Sequence, residues 1–348
     1  MKEIIPHSRP TIGADEMYAA AEVIRSGHIS QGERVREFEE ALAAFLGVKG
    51  VVAVNSGTSA LHLGLLAVGV EAEDRVLMPS YLCTAPLNAV YHAGGEPRFC
   101  DIEVESLNLS ADSVKENKRI KTKAVIVPHM FGAVADLEKI NEAGLILVED
   151  IAQAIGASYG KGKAGSFGKF SIASFYATKM MGCGEGGAVI SNDQNVLNFV
   201  RDRRDYDEVE DYKIRYNYKM TDIQAAIGLV QLSKLPDMIR IRQEIAAEYD
   251  RAFKGLDVVL PQSEFDHIYY RYVVRVQGDI TKIIASLKER GVNCEKPIYK
   301  PLHRYFELRS GFRNTDEVYS SAISIPIYPS LSSEEKERVV EVVKEVLS

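Results

Sequence analysis

The chain predicts an α/β protein: a large first domain with a mostly parallel central sheet flanked by helices, and a smaller α+β C-terminal domain. Three observations predict it. Short runs rich in Val, Ile and Leu alternate with segments of helical periodicity through the first two-thirds of the chain. That alternation ends near Leu235-Pro236. The length, 348 residues, exceeds what one hydrophobic core usually holds. The expected domains are residues 1–235 and 236–348.

The elements follow in order. Residues 15–26 place Met17, Ala20, Ala21 and Ile24 on one helical face, and 32–46 do the same with Val35, Phe38, Leu42 and Phe45. Residues 51–54 read as a buried strand, and a helix over 58–68 starts behind Ser56-Gly57-Thr58. Strand 75–78, helix 85–93, strand 96–100 and strand 122–127 come next, and 145–148 and 170–175 complete the β-branched set. Continuous apolar runs of this kind suit strands covered on both faces. Beyond Pro236 the pattern reads as a helix (237–254), a strand (269–276), a helix (280–290), an irregular Pro-rich segment (296–303), a strand (323–327) and an amphipathic helix (333–347). In open parallel sheets ligands bind beyond the carboxyl ends of strands, and Ser56, Pro79, Asp150 and Lys179 all fall there.

A net charge of -7 argues against a general nucleic-acid or anionic-membrane surface. The four cysteines are scattered and form no CxxC pair, so neither a metal site nor a disulfide framework is expected. A reducing cytoplasm suits them. The start, Met1-Lys2-Glu3-Ile4-Ile5-Pro6-His7, lacks a signal-peptide core, and no apolar run approaches membrane-spanning length.

Chemistry centres on Lys179, in Ser174-Phe175-Tyr176-Ala177-Thr178-Lys179, a strand-like run breaking into Gly182, Gly184, Gly186 and Gly187. A lysine so confined suits covalent attachment of a carbonyl group. Upstream, Glu149-Asp150 ends the apolar run 144–148. A carboxylate there suits a partner for a pyridinium nitrogen, and the two features together point to pyridoxal 5'-phosphate (PLP). Alone, the lysine reads as a solvated charge and the acid as a helix cap. Asn55-Ser56-Gly57-Thr58-Ser59-Ala60-Leu61 leaves backbone N–H groups open at a helix start, suiting a phosphate or an ordinary N-cap. Gln153 suits a contact to the ring or its hydroxyl, or a polar loop position. Arg201-Asp202-Arg203-Arg204-Asp205 reads first as a solvated helix end, with a role beside the site as the alternative. The tyrosines 206, 212, 216 and 218 fit interface packing or ligand contact equally, and His129 reads as structural.

These motifs occur in order with Gly184-Glu185-Gly186-Gly187-Ala188 and Tyr216-Asn217-Tyr218-Lys219-Met220-Thr221-Asp222. Ser26-Gly27-His28-Ile29-Ser30-Gln31-Gly32 and Ile325-Pro326-Ile327-Tyr328-Pro329 flank them. Together they closely resemble the DegT/StrS family of PLP-dependent sugar aminotransferases, of the aspartate aminotransferase architecture (PLP-transferase fold type I), over essentially the whole chain. The resemblance implies that Lys179 carries the cofactor and moves a proton. It implies that Asp150 pairs with the pyridine nitrogen, that Gln153 faces the ring hydroxyl, and that Gly57, Thr58 and Ser174 hold the phosphate. Asn217 would reach that phosphate from the neighbouring subunit of a homodimer with shared active sites.

Two departures stand out. Where the family places an aromatic over the ring, simple register puts Cys83, with Tyr81 as the alternative. The segment Lys296-Pro297-Ile298-Tyr299-Lys300-Pro301-Leu302-His303 also differs from relatives and bears on the sugar's identity. The resemblance implies amination of a nucleotide-linked keto-sugar, with L-glutamate as amino donor, in amino-sugar and polysaccharide biosynthesis. A cyclitol (keto-inositol) aminotransferase and a non-catalytic PLP- or sugar-binding regulator are the alternatives.

Overall fold

A computed structural model describes residues 4–207 and 209–348. Its strands are β1 (Gly50–Val54), β2 (Arg75–Pro79), β3 (Glu96–Cys100), β4 (Thr122–Pro128), β5 (Ile146–Asp150), β6 (Ser158–Tyr159), β7 (Gly162–Lys163), β8 (Phe170–Ser174), β9 (Gly187–Ser191), β10 (Val258–Val259), β11 (Tyr272–Val276) and β12 (Ala322–Ile325). The helices that matter below are α1 (Ala14–Ser26), α2 (Glu33–Leu46), α3 (Gly57–Ala67), α4 (Thr84–His92), α5 (Ala111–Asn117), α6 (Leu137–Asn141), α7 (Gln194–Arg203) and α8 (Asp222–Phe253).

The main sheet has the order β1-β9-β8-β5-β4-β2-β3. The pairs β2–β3, β2–β4, β4–β5 and β5–β8 are parallel. β9 runs antiparallel to both neighbours, β8 and β1. The expected sheet is therefore present, with one reversed strand that the apolar pattern did not reveal. Because β9 is reversed, its first residue, Gly187, pairs with the last residues of β1 and β8, Val54 and Ser174. The carboxyl ends of β1, β5 and β8 thus meet at one edge.

Alternation along each strand divides the apolar residues between two faces. Val51, Ala53 and Leu147 belong to a core shared with α2 and the first part of α8. Val52, Val54, Val148 and Ile172 belong to the opposite core, built on α3 and α4. A third core lies around the antiparallel sheet β10-β11-β12.

The helix expected to begin at 237 is instead the second half of α8, which runs through Pro236 without a break. Proline withholds one N–H from the preceding turn. Leu232, Leu235 and Met238 are buried in the first core, and Ile245, Tyr249 and Phe253 in the third. One apolar stripe joined to two cores outweighs the lost hydrogen bond, so the boundary expected at 235/236 falls inside a helix.

Candidate active site

β5 delivers two adjacent carboxylates to opposite faces. Glu149 is fully buried and accepts the N–H groups of Gly165 (2.7 Å), Phe167 (2.8 Å) and Gly168 (2.6 Å). His129 Nε2 lies 3.1 Å from its Oε2. His129 Nδ1 accepts the Ala135 N–H at 3.0 Å, so Nε2 carries the proton and donates to Glu149. Burial pushes the Glu149 pKa up, but these hydrogen bonds outweigh it and hold the carboxyl below its ordinary value. Glu149 is structural, and so is His129, as its sequence context suggested.

Asp150 turns the other way, into a cavity of about 250 Å³. Its Oδ1 accepts the Ala152 N–H at 2.9 Å. Burial raises its pKa, offset in part by that hydrogen bond and by the charge of Lys179. A buried carboxyl with a raised pKa and an oxygen to spare is suited to a cationic ligand atom, which would restore the charged form.

Gly57, Thr58, Cys83, Asp150, Gln153, Ser174 and Lys179 all line this one cavity. α3 starts at its floor. Ser56 caps the helix, its Oγ accepting the Ser59 N–H at 3.1 Å. The N–H groups of Gly57 and Thr58 have no acceptor among the described residues, which leaves an anion site at the positive end of the helix. Two glycines make this approach possible. A Cβ on Gly57 would stand 2.9 Å from Ser174 Cβ, and one on Gly187 would collide with the Ser56 carbonyl.

Gln153 is oriented from behind, its Oε1 accepting the Phe131 N–H at 2.9 Å. The amide NH₂ is left as a donor, which suits a ring oxygen. Cys83 lines the cavity and Tyr81 does not: the tyrosine is wholly buried. Cys83 opens to solvent, yet the protein packed around its thiol raises its pKa, partly offset by the Ala85 N–H and Lys179. It therefore presents a neutral thiol.

Lys179 sits on a tight loop whose ends are tied by Ala177 N–H to Gly184 O (3.0 Å) and Cys183 N–H to Phe175 O (2.8 Å). Its Nζ lies 5.3 Å from the centroid of the Tyr270 ring. Sequence reasoning missed Tyr270, because the run 269–276 carries only a strand pattern. Burial would raise its phenol, but the charges of Lys179 and Arg271 and a hydrogen bond from Thr178 bring it below its usual value.

Asn217 is exposed and lies outside the cavity of its own chain. Its carbonyl accepts from Asn55 Nδ2 at 3.3 Å, and the Tyr218 carbonyl accepts the Asn55 N–H at 2.8 Å. The segment is thereby pinned beside the end of β1, near the helix start that forms the anion site. Arg204, from the mixed charge run, bonds the Ala53 carbonyl at 2.8 Å and pairs with Glu39, and neither it nor its neighbours line the cavity. Tyr216 and Tyr218 stack at 4.9 Å and meet His62 edge-on.

A cavity that joins an amine, a buried carboxylate and an open helix start offers partners for the aldehyde, the ring nitrogen and the phosphate of a phosphorylated pyridine aldehyde. The comparisons agree. Residues 10–344 match the DegT/DnrJ/EryC1/StrS aminotransferase family, and the chain belongs to that family. It is 32% identical to the spore coat polysaccharide biosynthesis protein SpsC of Bacillus subtilis, covering 99% of this chain and 97% of that one. It is 29% identical to the GDP-perosamine synthase of Vibrio cholerae, with 98% of each covered. The PLP form of the putative sugar aminotransferase Spr1654 from Streptococcus pneumoniae superposes with a TM-score of 0.90 at 26% identity, covering 99% of this chain and 100% of that one. The protein is a PLP-dependent sugar aminotransferase of fold type I, in the setting of amino-sugar and polysaccharide biosynthesis. No helix among the described residues is long and apolar enough to cross a membrane.

Proposed function

We propose that the protein aminates the ketone of a nucleotide-linked sugar, with L-glutamate as amino donor, in a homodimer whose active sites are shared. The observation that carries this reading is the joining of Lys179, Asp150 and the open start of α3 in one cavity. The likeness to a relative named for a GDP-linked amino sugar supports the nucleotide. Bound PLP supplies an electron sink for the pair released at the substrate carbon. The ionised Asp150 would favour the protonated ring nitrogen. Gln153 would donate its NH₂ to the ring hydroxyl, and Gly57, Thr58 and Ser174 would hold the phosphate. Cys83 would cover one face of the ring.

Lys179 would hold the cofactor through its Nζ. The free Nζ would take the proton from the donor's α-carbon, and in the second half of the cycle would deliver a proton to the sugar carbon. Asn217 of a second copy would complete the phosphate site, a role supported by its exposure outside its own cavity. Residues 1–235 as cofactor-binding domain and 236–348 as smaller domain belong to the same reading, supported by their separate sheets. So does a cytoplasmic location, which suits the four free cysteines.

The test is a panel of nucleotide-linked keto-sugars and free keto-inositols, each incubated with L-glutamate and analysed for the aminated product by mass spectrometry. Amination confined to nucleotide-linked sugars is expected. Turnover of a keto-inositol alone would overturn the reading.

A further inference from the structure

The Pro-rich segment after Cys294 is anchored at the rim of the cavity. The Leu302 N–H donates to the Ser80 carbonyl at 2.8 Å, and the His303 N–H to Ser80 Oγ at 3.0 Å. Ser80 Oγ lies 2.7 Å from His303 Nδ1. Ser80 is wholly buried and directly precedes the stretch containing Leu82 and Cys83, which line the cavity. Three residues of chain span at most about 10 Å, so the anchor at Ser80 lies within that reach of Cys83.

Two half-buried lysines of this segment have no carboxylate partner among the described residues. Lys296 Nζ sits 4.5 Å from the centroid of Tyr319, and Lys300 Nζ 4.4 Å from that of Tyr305. The Tyr319 hydroxyl donates to the Tyr299 carbonyl at 3.0 Å, bracing the backbone between them. Asp316 is already used, since Arg304 Nε bonds it at 2.9 Å, and Glu295 accepts from Asn293 Nδ2 at 3.3 Å. On a chain with a net charge of -7, two preorganised and unneutralised ammonium groups beside a cavity form a local anion trap. A ring face holds each ammonium in place while leaving N–H donors free.

We propose that Lys296 and Lys300 form the subsite for the diphosphate of the nucleotide-linked substrate, an inference that rests on the function proposed above. A sugar nucleotide carries its diphosphate about one ring from a ketone on the sugar, so groups that hold it must stand outside the cavity, as a segment anchored at its rim does. The two ammonium groups divide the diphosphate's charge, and the substrate is thereby oriented with its ketone toward Lys179.

The experiment uses the PLP-loaded enzyme, with inorganic pyrophosphate as probe in titration calorimetry, on wild type, Lys296→Gln, Lys300→Gln, the double variant and Lys300→Arg. Conversion of the bound cofactor by L-glutamate monitors folding in each. Pyrophosphate affinity should fall roughly tenfold per lysine removed and recover in Lys300→Arg, since charged hydrogen bonds are of that worth. KM for the nucleotide-linked sugar should rise in parallel while kcat is retained. Absence of pyrophosphate binding to wild type, or equal binding to the double variant, overturns the proposal. The two readings fail separately. If pyrophosphate binds through the lysines but no nucleotide-linked sugar is aminated, the subsite stands and the substrate assignment falls. If amination continues with unchanged KM in the double variant, the subsite falls and the substrate assignment stands.

Discussion

Asp150→Asn should stabilise the cofactor-free protein and cripple the enzyme, because the same buried charge costs the first and serves the second. Asn keeps the shape and the acceptor for the Ala152 N–H but removes the ionisable group. In the cofactor-free protein the folded pKa of Asp150 is raised, chiefly by burial. The folded state then binds this proton more tightly than the unfolded state, so stability falls as pH rises from the unfolded pKa through the folded one, and the penalty persists above it. The variant lacks that penalty. Its melting temperature should exceed wild type at pH 7, and the gap should close below about pH 4, near the unfolded carboxyl pKa. With PLP bound the sign reverses. A unit-charge pair in contact, at an effective dielectric of about 20, is worth about 4 kcal/mol, so losing it should slow cofactor conversion by glutamate by roughly three orders of magnitude. Stopped-flow absorbance gives the rate, and calorimetry of cofactor-free protein across the pH range gives the stability. An unchanged rate together with a lower melting temperature at pH 7 would refute the reasoning.

Lys179→Ala should leave PLP removable by dialysis after borohydride treatment, with sustained turnover abolished. Cofactor fixed to that variant, seen by mass spectrometry, would point to another lysine. In Gly57→Ala the new methyl must push on Ser174, whose Cβ lies 2.9 Å away. PLP should bind at least about tenfold more weakly, and equal affinity by fluorescence titration would contradict the phosphate site. Glu149→Gln turns an amide NH₂ against backbone N–H donors in a fully buried site. A loss of about 3 kcal/mol in denaturant unfolding is expected, whereas no loss would remove Glu149 from the framework beneath Asp150. On the proposed shared-site dimer, the Lys179→Ala and Asn217→Ala variants, mixed and allowed to exchange, should recover about half of wild-type activity per heterodimer, since two-fold symmetry puts both lesions in one site. Absence of recovery despite proven exchange would mean that Asn217 serves its own chain or no site at all.

The alternation of β-branched runs with helical periodicity already contained the parallel sheet, because a strand buried on both faces needs nothing but local apolar residues. Lys179, Asp150 and the Ser56-Gly57-Thr58 turn were legible for a similar reason: each stands at the end of a strand, where an open sheet binds its ligands. The sequence could not show that Glu149 and Asp150 part company, one joining a backbone framework and the other a cavity. That division is set by strand pleat and by which face packs on α3. Nor could it show the reversal of β9, which brings Gly187 against the Ser56 carbonyl, or the passage of α8 through Pro236. Tyr270 and the lysine strip at 296–300 acquire meaning only from neighbours far away in the chain. Patterns of period 2 and 3.6 record which residues are apolar and how they repeat. Which polar group meets which is decided by long-range packing, and that exists only once the cores have formed.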